Sequence, residues 1–211
     1  MREGWKKINY ARIMAVIIIH LTLISLSWGA RVGLKVGIDR NVLDVEGAYR
    51  NKTGNGFHVG IDVTFDIRPY YSISITPQLK SSQYNTLFWP GTDYDYVNLY
   101  VPVIFSMRLP SSKSISPYLG LGAAVNFQLS GKMIYTDGVN YGEQEIEDLK
   151  PDIYLATTLG IAATFGRLQI SPEVSLNYNL TDNSAAHHAV PEGRSVWVYD
   201  YGLTLGLSYS L

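Results

Sequence analysis

The chain has 211 residues, of which 17% are charged and 12% aromatic, and it contains no cysteine. Without cysteine, neither disulfides nor thiolate metal sites can hold the fold. The formal charge is −1, and the basic residues beyond the N-terminus form no cluster, so we expect no nucleic-acid partner.

The first thirty residues have the layout of a secretory signal peptide. A basic stretch precedes an apolar stretch, Ile13–Leu26, and a small-residue exit. The apolar stretch is shorter than the roughly 20 residues that a membrane-spanning helix needs. We therefore predict a signal peptide over residues 1–30, cleaved after Gly29 or Ala30, followed by one domain over residues 31–211.

Eight segments of that domain alternate between apolar and polar residues, as strands do because successive side chains point to opposite faces. In the second segment every odd position is apolar and every even position is polar or glycine. No segment shows the period of an amphipathic helix. The predicted strands are Val32–Ile38, Phe57–Ile67, Tyr71–Leu79, Val97–Leu109, Leu119–Leu129, Ile153–Phe165, Ile170–Leu180 and Leu203–Leu211.

The connections between these strands alternate between long and short. Long connections are predicted at 40–56, 81–95, 130–151 and 181–196, with shorter ones at 68–69, 110–116 and 166–167. Outer-membrane barrels have short periplasmic turns and long extracellular loops. The sequence therefore predicts an all-β fold, an eight-stranded antiparallel up-and-down transmembrane β-barrel that is monomeric and integral to the outer membrane.

The polar face of the strands predicts a filled lumen. It is rich in glycine, serine, threonine and asparagine, which suit the narrow interior of eight strands. Its charged residues predict a buried network of ion pairs: Lys35, Asp39, His58, Asp62, Asp66, Lys80, Arg108, Asp152 and Glu173. Aromatic residues near the strand ends predict interfacial girdles: Tyr70, Tyr71, Trp89, Tyr94, Tyr96, Trp197, Tyr199 and Tyr201.

Three prolines fall inside predicted strands, namely Pro77, Pro102 and Pro172. Proline cannot donate a ladder hydrogen bond, and a closed barrel has no free edge. We therefore expect bulges or strand ends at these positions.

Five short motifs lie along the predicted strands, and three of them contain these prolines. They are GLKVG at 33–37, ITPQL at 75–79, YVNLYVPV at 96–103, PYLGLG at 117–122 and PEVSLNY at 172–178. In this order they resemble the PorT-like outer-membrane barrel family of the Bacteroidetes. The resemblance implies an eight-stranded barrel without a catalytic motif, and one member of that family takes part in type IX protein secretion. The chain departs in ending on Leu211, where exported barrels usually end on Phe or Trp.

One predicted loop holds residues that could carry chemistry, Ser184, His187 and His188. A rim serine near a histidine could act as nucleophile and base, and the histidines could bind a metal together with Asp182 and Glu192. No nucleophile-elbow motif surrounds the serine. We therefore predict no catalytic residues, no metal site, no cofactor and no enzymatic activity.

Taken together, these features predict a structural or interaction role. The expected partners are outer-membrane lipid and lipopolysaccharide, with envelope or secretion proteins as further candidates. Two alternatives stay open, a rim-located lipid-modifying enzyme and a narrow small-solute channel. The acidic run at residues 143–148 could bind Ca²⁺ or bridge cations on lipopolysaccharide, although a solvated loop apex is the simpler interpretation.

Overall fold

The computed structural model describes residues 30–45, 52–85, 92–109, 114–136, 141–145, 151–181 and 196–211. The regular structure in these ranges is entirely β, which confirms the predicted fold class. The strands are β1 Ala30–Val45, β2 Lys52–Arg68, β3 Tyr71–Ile75, β4 Gln78–Asn85, β5 Thr92–Arg108, β6 Ile115–Thr136, β7 Tyr141–Glu145, β8 Asp152–Phe165, β9 Leu168–Asn179 and β10 Val196–Ser210. Within the same ranges, no helix is both long and apolar enough to cross a membrane. The predicted signal peptide lies almost wholly outside the described residues and stays a prediction.

The strands close into a ring in which neighbours pair antiparallel. β1 pairs with both β2 and β10, and β5 pairs with β6, which joins the two ends of the sheet. β3 and β4 lie end to end between β2 and β5 and fill a single position. β7 extends β6 outside the ring. The described strands therefore form a ring of eight positions, and the predicted up-and-down barrel is confirmed.

The region after Leu129 differs from its predicted structure. A single loop was expected at 130–151, but β6 continues to Thr136 and pairs with β7. Val97 pairs with Ser130 while Asn98 pairs with Gln128, so Leu129 is the extra residue of a β-bulge. Because the bulge reverses which side each following residue faces, the simple alternation ends there and the longer strand escapes detection.

Pro77 and Pro102 lie close together on two neighbouring strand positions, because Pro102 faces Thr76, the residue before Pro77. Pro77 separates β3 from β4, which confirms the predicted strand end, and the register is the same on both sides of it. Each proline keeps its carbonyl in the ladder: Pro77 O accepts from the Ile61 amide, and Pro102 O accepts from the Thr76 amide, both at 3.1 Å. The two missing donors therefore lie in adjacent ladders, that of Pro77 toward β2 and that of Pro102 toward the position shared by β3 and β4.

At Pro102 and Pro172 the expectation of a bulge or strand end was wrong. Pro102 pairs with Ala124 inside β5, and Pro172 pairs with Leu205 inside β9. Only the pairing of β9 with β8 is interrupted at Pro172, where the ring nitrogen has no hydrogen to donate. One lost donor does not end a strand whose other neighbour remains paired.

The outer face of the barrel carries an apolar band. On β10 the outward side chains Leu203, Leu205 and Leu207 are 58%, 52% and 49% exposed, and the other ring strands repeat the pattern. From Tyr201 to Leu211 the band measures about 25 Å, taking about 3.3 Å per residue and a tilt of about 40°. This is the height of the lipid-facing band of outer-membrane barrels.

At the end of the barrel that carries the long loops, here called the loop end, the polarity of the two faces reverses. On β5, Asp93 and Asp95 point outward, whereas Tyr94 and Tyr96 point inward and are only 2% and 3% exposed. These tyrosines pack inside the barrel in a cluster that we call the tyrosine cap, formed by Leu43, Tyr84, Tyr94, Tyr96 and Val198. Beyond the lipid, water surrounds the barrel and apolar side chains turn inward.

This reversal corrects the predicted girdles. Tyr94 and Tyr96 were assigned to the membrane interface and instead belong to the tyrosine cap. Tyr70, Tyr71, Trp197 and Tyr201 are exposed, and Tyr199 is half-buried. Trp89 lies outside the described residues.

Candidate functional site

The lumen is filled by layers of charged and polar side chains, beginning at the turn end, where the short turns and Leu211 lie. There the Asp66 carboxylate pairs with two guanidinium groups, that of Arg31 with an N···O distance of 2.9 Å and that of Arg108 with one of 3.2 Å. Arg31 also donates to the side-chain carbonyl of Gln169. Asp66 is partly exposed, so this layer forms the mouth of the lumen.

The central layer is organised around Lys35. Its ammonium lies 2.8 Å from Glu173 and 3.3 Å from Asp62. Asp62 also accepts hydrogen bonds from Thr76 at 2.6 Å and Thr64 at 2.8 Å. One cation thereby links β1 to β2 on one side and, past β10, to β9 on the other.

The next layer is organised around Lys80 and His58. The ammonium of Lys80 lies 2.9 Å from Asp200 and 3.7 Å from Asp39. The His58 ring is held between Asp39, 2.8 Å from Nδ1, and Thr204, 3.0 Å from Nε2. All of these groups are buried.

Between this layer and the tyrosine cap lies a layer rich in asparagine. Asn41, Asn98 and Asn126 project inward from β1, β5 and β6, and Asp152 from β8. Asp152 accepts a hydrogen bond from the Thr181 hydroxyl at 3.1 Å.

Among the described side chains, small polar cavities lie between the layers, at the turn end, at the centre and at the loop end. The turn-end and central cavities each leave about 40 Å³ in which the centre of a water molecule fits, and the loop-end cavity leaves about 20 Å³. A single water needs about 10–15 Å³ by this measure. The described side chains therefore divide the lumen into spaces for a few waters each.

The structure places most of the predicted network residues inside the lumen. Those in the interior are Lys35, Asp39, His58, Asp62, Lys80, Asp152 and Glu173, whereas Asp66 and Arg108 lie at the turn-end mouth. Sequence reasoning missed Arg31 and Asp200. Both share the inward parity of their strands, Arg31 with Lys35 and Asp200 with Thr204, so extending the alternation by a few residues would have found them.

The candidate loop site is not part of this arrangement. Ser184, His187 and His188 lie outside the described residues, as do Asp182 and Glu192, so that site stays a hypothesis. Within the described ranges, no group of three or more histidine, aspartate or glutamate side chains could hold a metal ion.

The chain is similar to known outer-membrane proteins in its sequence profile and in its fold. The profile of the family described as outer membrane protein beta-barrel domain matches residues 24–185. The crystal structure of Neisserial surface protein A is 14% identical, with a TM-score of 0.50 over 87% of this chain and 99% of that one. Ail of Yersinia pestis is 15% identical, with a TM-score of 0.44 over 86% and 99%. OprG of Pseudomonas aeruginosa is 14% identical, with a TM-score of 0.43 over 87% and 97%. No curated protein matches the chain.

Proposed function

The chain belongs to the outer membrane protein β-barrel domain family, and we propose that this integral outer-membrane protein has a structural or interaction role rather than a transport or catalytic one. It would act through the surface that the loop end presents, toward lipopolysaccharide and toward envelope or secretion proteins. A role as an accessory to secretion or envelope assembly is the specific form of this proposal.

The filled lumen is the observation that carries the proposal. Lys35 and Lys80 each bridge two carboxylates across the interior, and the tyrosine cap lies above them. A solute would have to break these buried pairs, which are costly to separate because each charge would be left without a partner. The small-solute channel is therefore the weaker alternative.

The loop end supplies the surface for an interaction. β6 and β7 extend beyond the apolar band, and the extension displays exposed charged side chains such as Lys132, Glu143 and Glu145. Such residues contribute little to folding, because exposed ion pairs add little stability. They are available for contacts with partners.

Two measurements test the proposal. Purified protein in planar bilayers should give no conductance steps under conditions in which a general porin conducts. In native outer membranes, a photoreactive residue at Glu145 should crosslink a defined envelope component that the same residue at Tyr70, at the turn end, does not capture. Regular conductance steps would support the channel instead, and identical crosslinks from both positions would contradict a specific loop-end surface.

A further inference from the structure

The loop-end cavity carries more negative than positive charge. Asp152, Asp200 and Lys80 line it, but Lys80 is already shared between Asp200 and Asp39. Asp152 is 3% exposed and accepts hydrogen bonds from Thr181 and Asn126, but it forms no ion pair with a basic side chain among the described residues. A buried carboxylate without a counter-charge is unfavourable, and proteins normally pair it or bind a cation beside it.

The same cavity is lined by polar atoms that have no hydrogen-bond partner. They are the side-chain oxygens of Asn98 and Asn126, the hydroxyl of Tyr100, and both amide atoms of Asn41. These four residues are 6%, 5%, 4% and 1% exposed. Buried polar groups are nearly always satisfied by protein, water or an ion, and oxygen acceptors predominate among these atoms.

We propose that the loop-end cavity binds one divalent cation of the Ca²⁺ type, held by the carboxylate of Asp152 and the amide oxygens of Asn41, Asn98 and Asn126. Ca²⁺ accepts carboxylate, amide and water oxygens in a flexible geometry. The free space, about 20 Å³, suits one water-sized occupant. Most of the ligands would be amide oxygens, so the site is not a cluster of acidic and histidine side chains.

The tyrosine cap determines how the ion would be held. Tyr84, Tyr96 and Val198 belong to the cap and also line the cavity. The ion is therefore enclosed from the loop end, while the Lys80 layer closes the other side. We expect slow exchange and a contribution of the bound ion to stability, because a ligand that binds only the folded state stabilises it.

Terbium luminescence provides a direct test on the full-length barrel refolded in zwitterionic detergent without lipopolysaccharide. Tb³⁺ takes the same oxygen ligands as Ca²⁺ and emits when an adjacent excited tyrosine transfers energy to it. Because Tyr84, Tyr96, Tyr100 and Tyr154 line the cavity, bound Tb³⁺ should emit on tyrosine excitation. Excess Ca²⁺ should abolish the emission, whereas Na⁺ at matched ionic strength should not.

Two variants assign that signal to the cavity. Asp152→Asn removes the charge and Asn98→Leu removes an amide oxygen, and each should weaken Ca²⁺ binding at least tenfold. Asp93→Asn changes an exposed acid that points outward on β5 and should leave binding unchanged. Without added cation, Asp152→Asn should melt no lower than the parent protein. The proposal is overturned if no Ca²⁺-sensitive emission appears, or if both lumen variants bind Ca²⁺ as tightly as the parent protein.

Discussion

At the scale of single residues, Lys35 shows what the lumen network requires. It bridges Asp62 and Glu173 with side-chain exposures of 13%, 8% and 6%. Lys35→Met would leave two buried carboxylates facing each other without a cation. We expect the free energy of unfolding to fall by about 3–5 kcal/mol, measured by denaturant titration in phospholipid vesicles.

Lys132 offers the matched control for this prediction. It pairs with Glu143 at 3.6 Å, and both side chains are about half exposed. Lys132→Met should change the free energy of unfolding by less than about 1 kcal/mol. Equal losses for the two variants would mean that the lumen pair is no more important than a surface pair.

Gly160 shows how closely backbone and ring pack in the lumen. It pairs with Tyr118 across β6 and β8, and a β-carbon at this position would lie 2.5 Å from the Tyr118 ring. Gly160→Ala should therefore lower the free energy of unfolding by about 1–3 kcal/mol. In a Tyr118→Ser background the same substitution should cost much less. If the effects of the two substitutions were simply additive, the destabilisation by Gly160→Ala would not come from a clash with Tyr118.

At the scale of elements, the bulge at Leu129 sets which side of the strand each later residue faces. Lys132 is exposed outside and Met133 packs against the tyrosine cap. Deleting Leu129 removes the extra residue and should exchange the two faces. Since the chain has no cysteine, single-cysteine variants can report this exchange by maleimide labelling.

The relative labelling rates should reverse between the parent protein and the protein that lacks Leu129. With Leu129 present, Lys132→Cys should label quickly and Met133→Cys slowly, and after the deletion the order should reverse. An unchanged order would show that a neighbouring residue takes over the bulge.

The same element explains how far the sequence could predict the structure. Alternation identified the eight ring strands and the inward parity of Lys35 and Glu173, because a buried or lipid-facing side forces a period of two. It could not identify β7 or the position of Tyr94. Before β7, the bulge at Leu129 shifts the period of the alternation. At Tyr94 the surroundings of the barrel change from lipid to water, so the apolar side chains point inward instead of outward. Which charged side chains pair with each other could not be predicted either, because the sequence of a single strand does not determine its register against a strand distant in the chain.

At the scale of the whole molecule, the apolar band and the reversal of polarity together define the position of the bilayer. Leu205 lies near the middle of the band on β10, whereas Tyr199 lies just beyond its loop-end limit at Tyr201. Leu205 therefore faces the lipid chains, and Tyr199 lies at the level of the headgroups and water. This position of the bilayer predicts that a charged substitution destabilises the protein more at Leu205 than at Tyr199.

Arginine substitutions measure that depth directly. Leu205→Arg should lower the free energy of unfolding by about 2–4 kcal/mol, and Tyr199→Arg by about 0–1 kcal/mol, because the penalty for a charge falls from the bilayer midplane to the interface. Unfolding of both variants in vesicles of the same phospholipid gives the comparison. A larger loss at Tyr199 would move the bilayer toward the loops, and the tyrosine cap and the asparagine layer would then lie within the membrane instead of beyond its outer boundary.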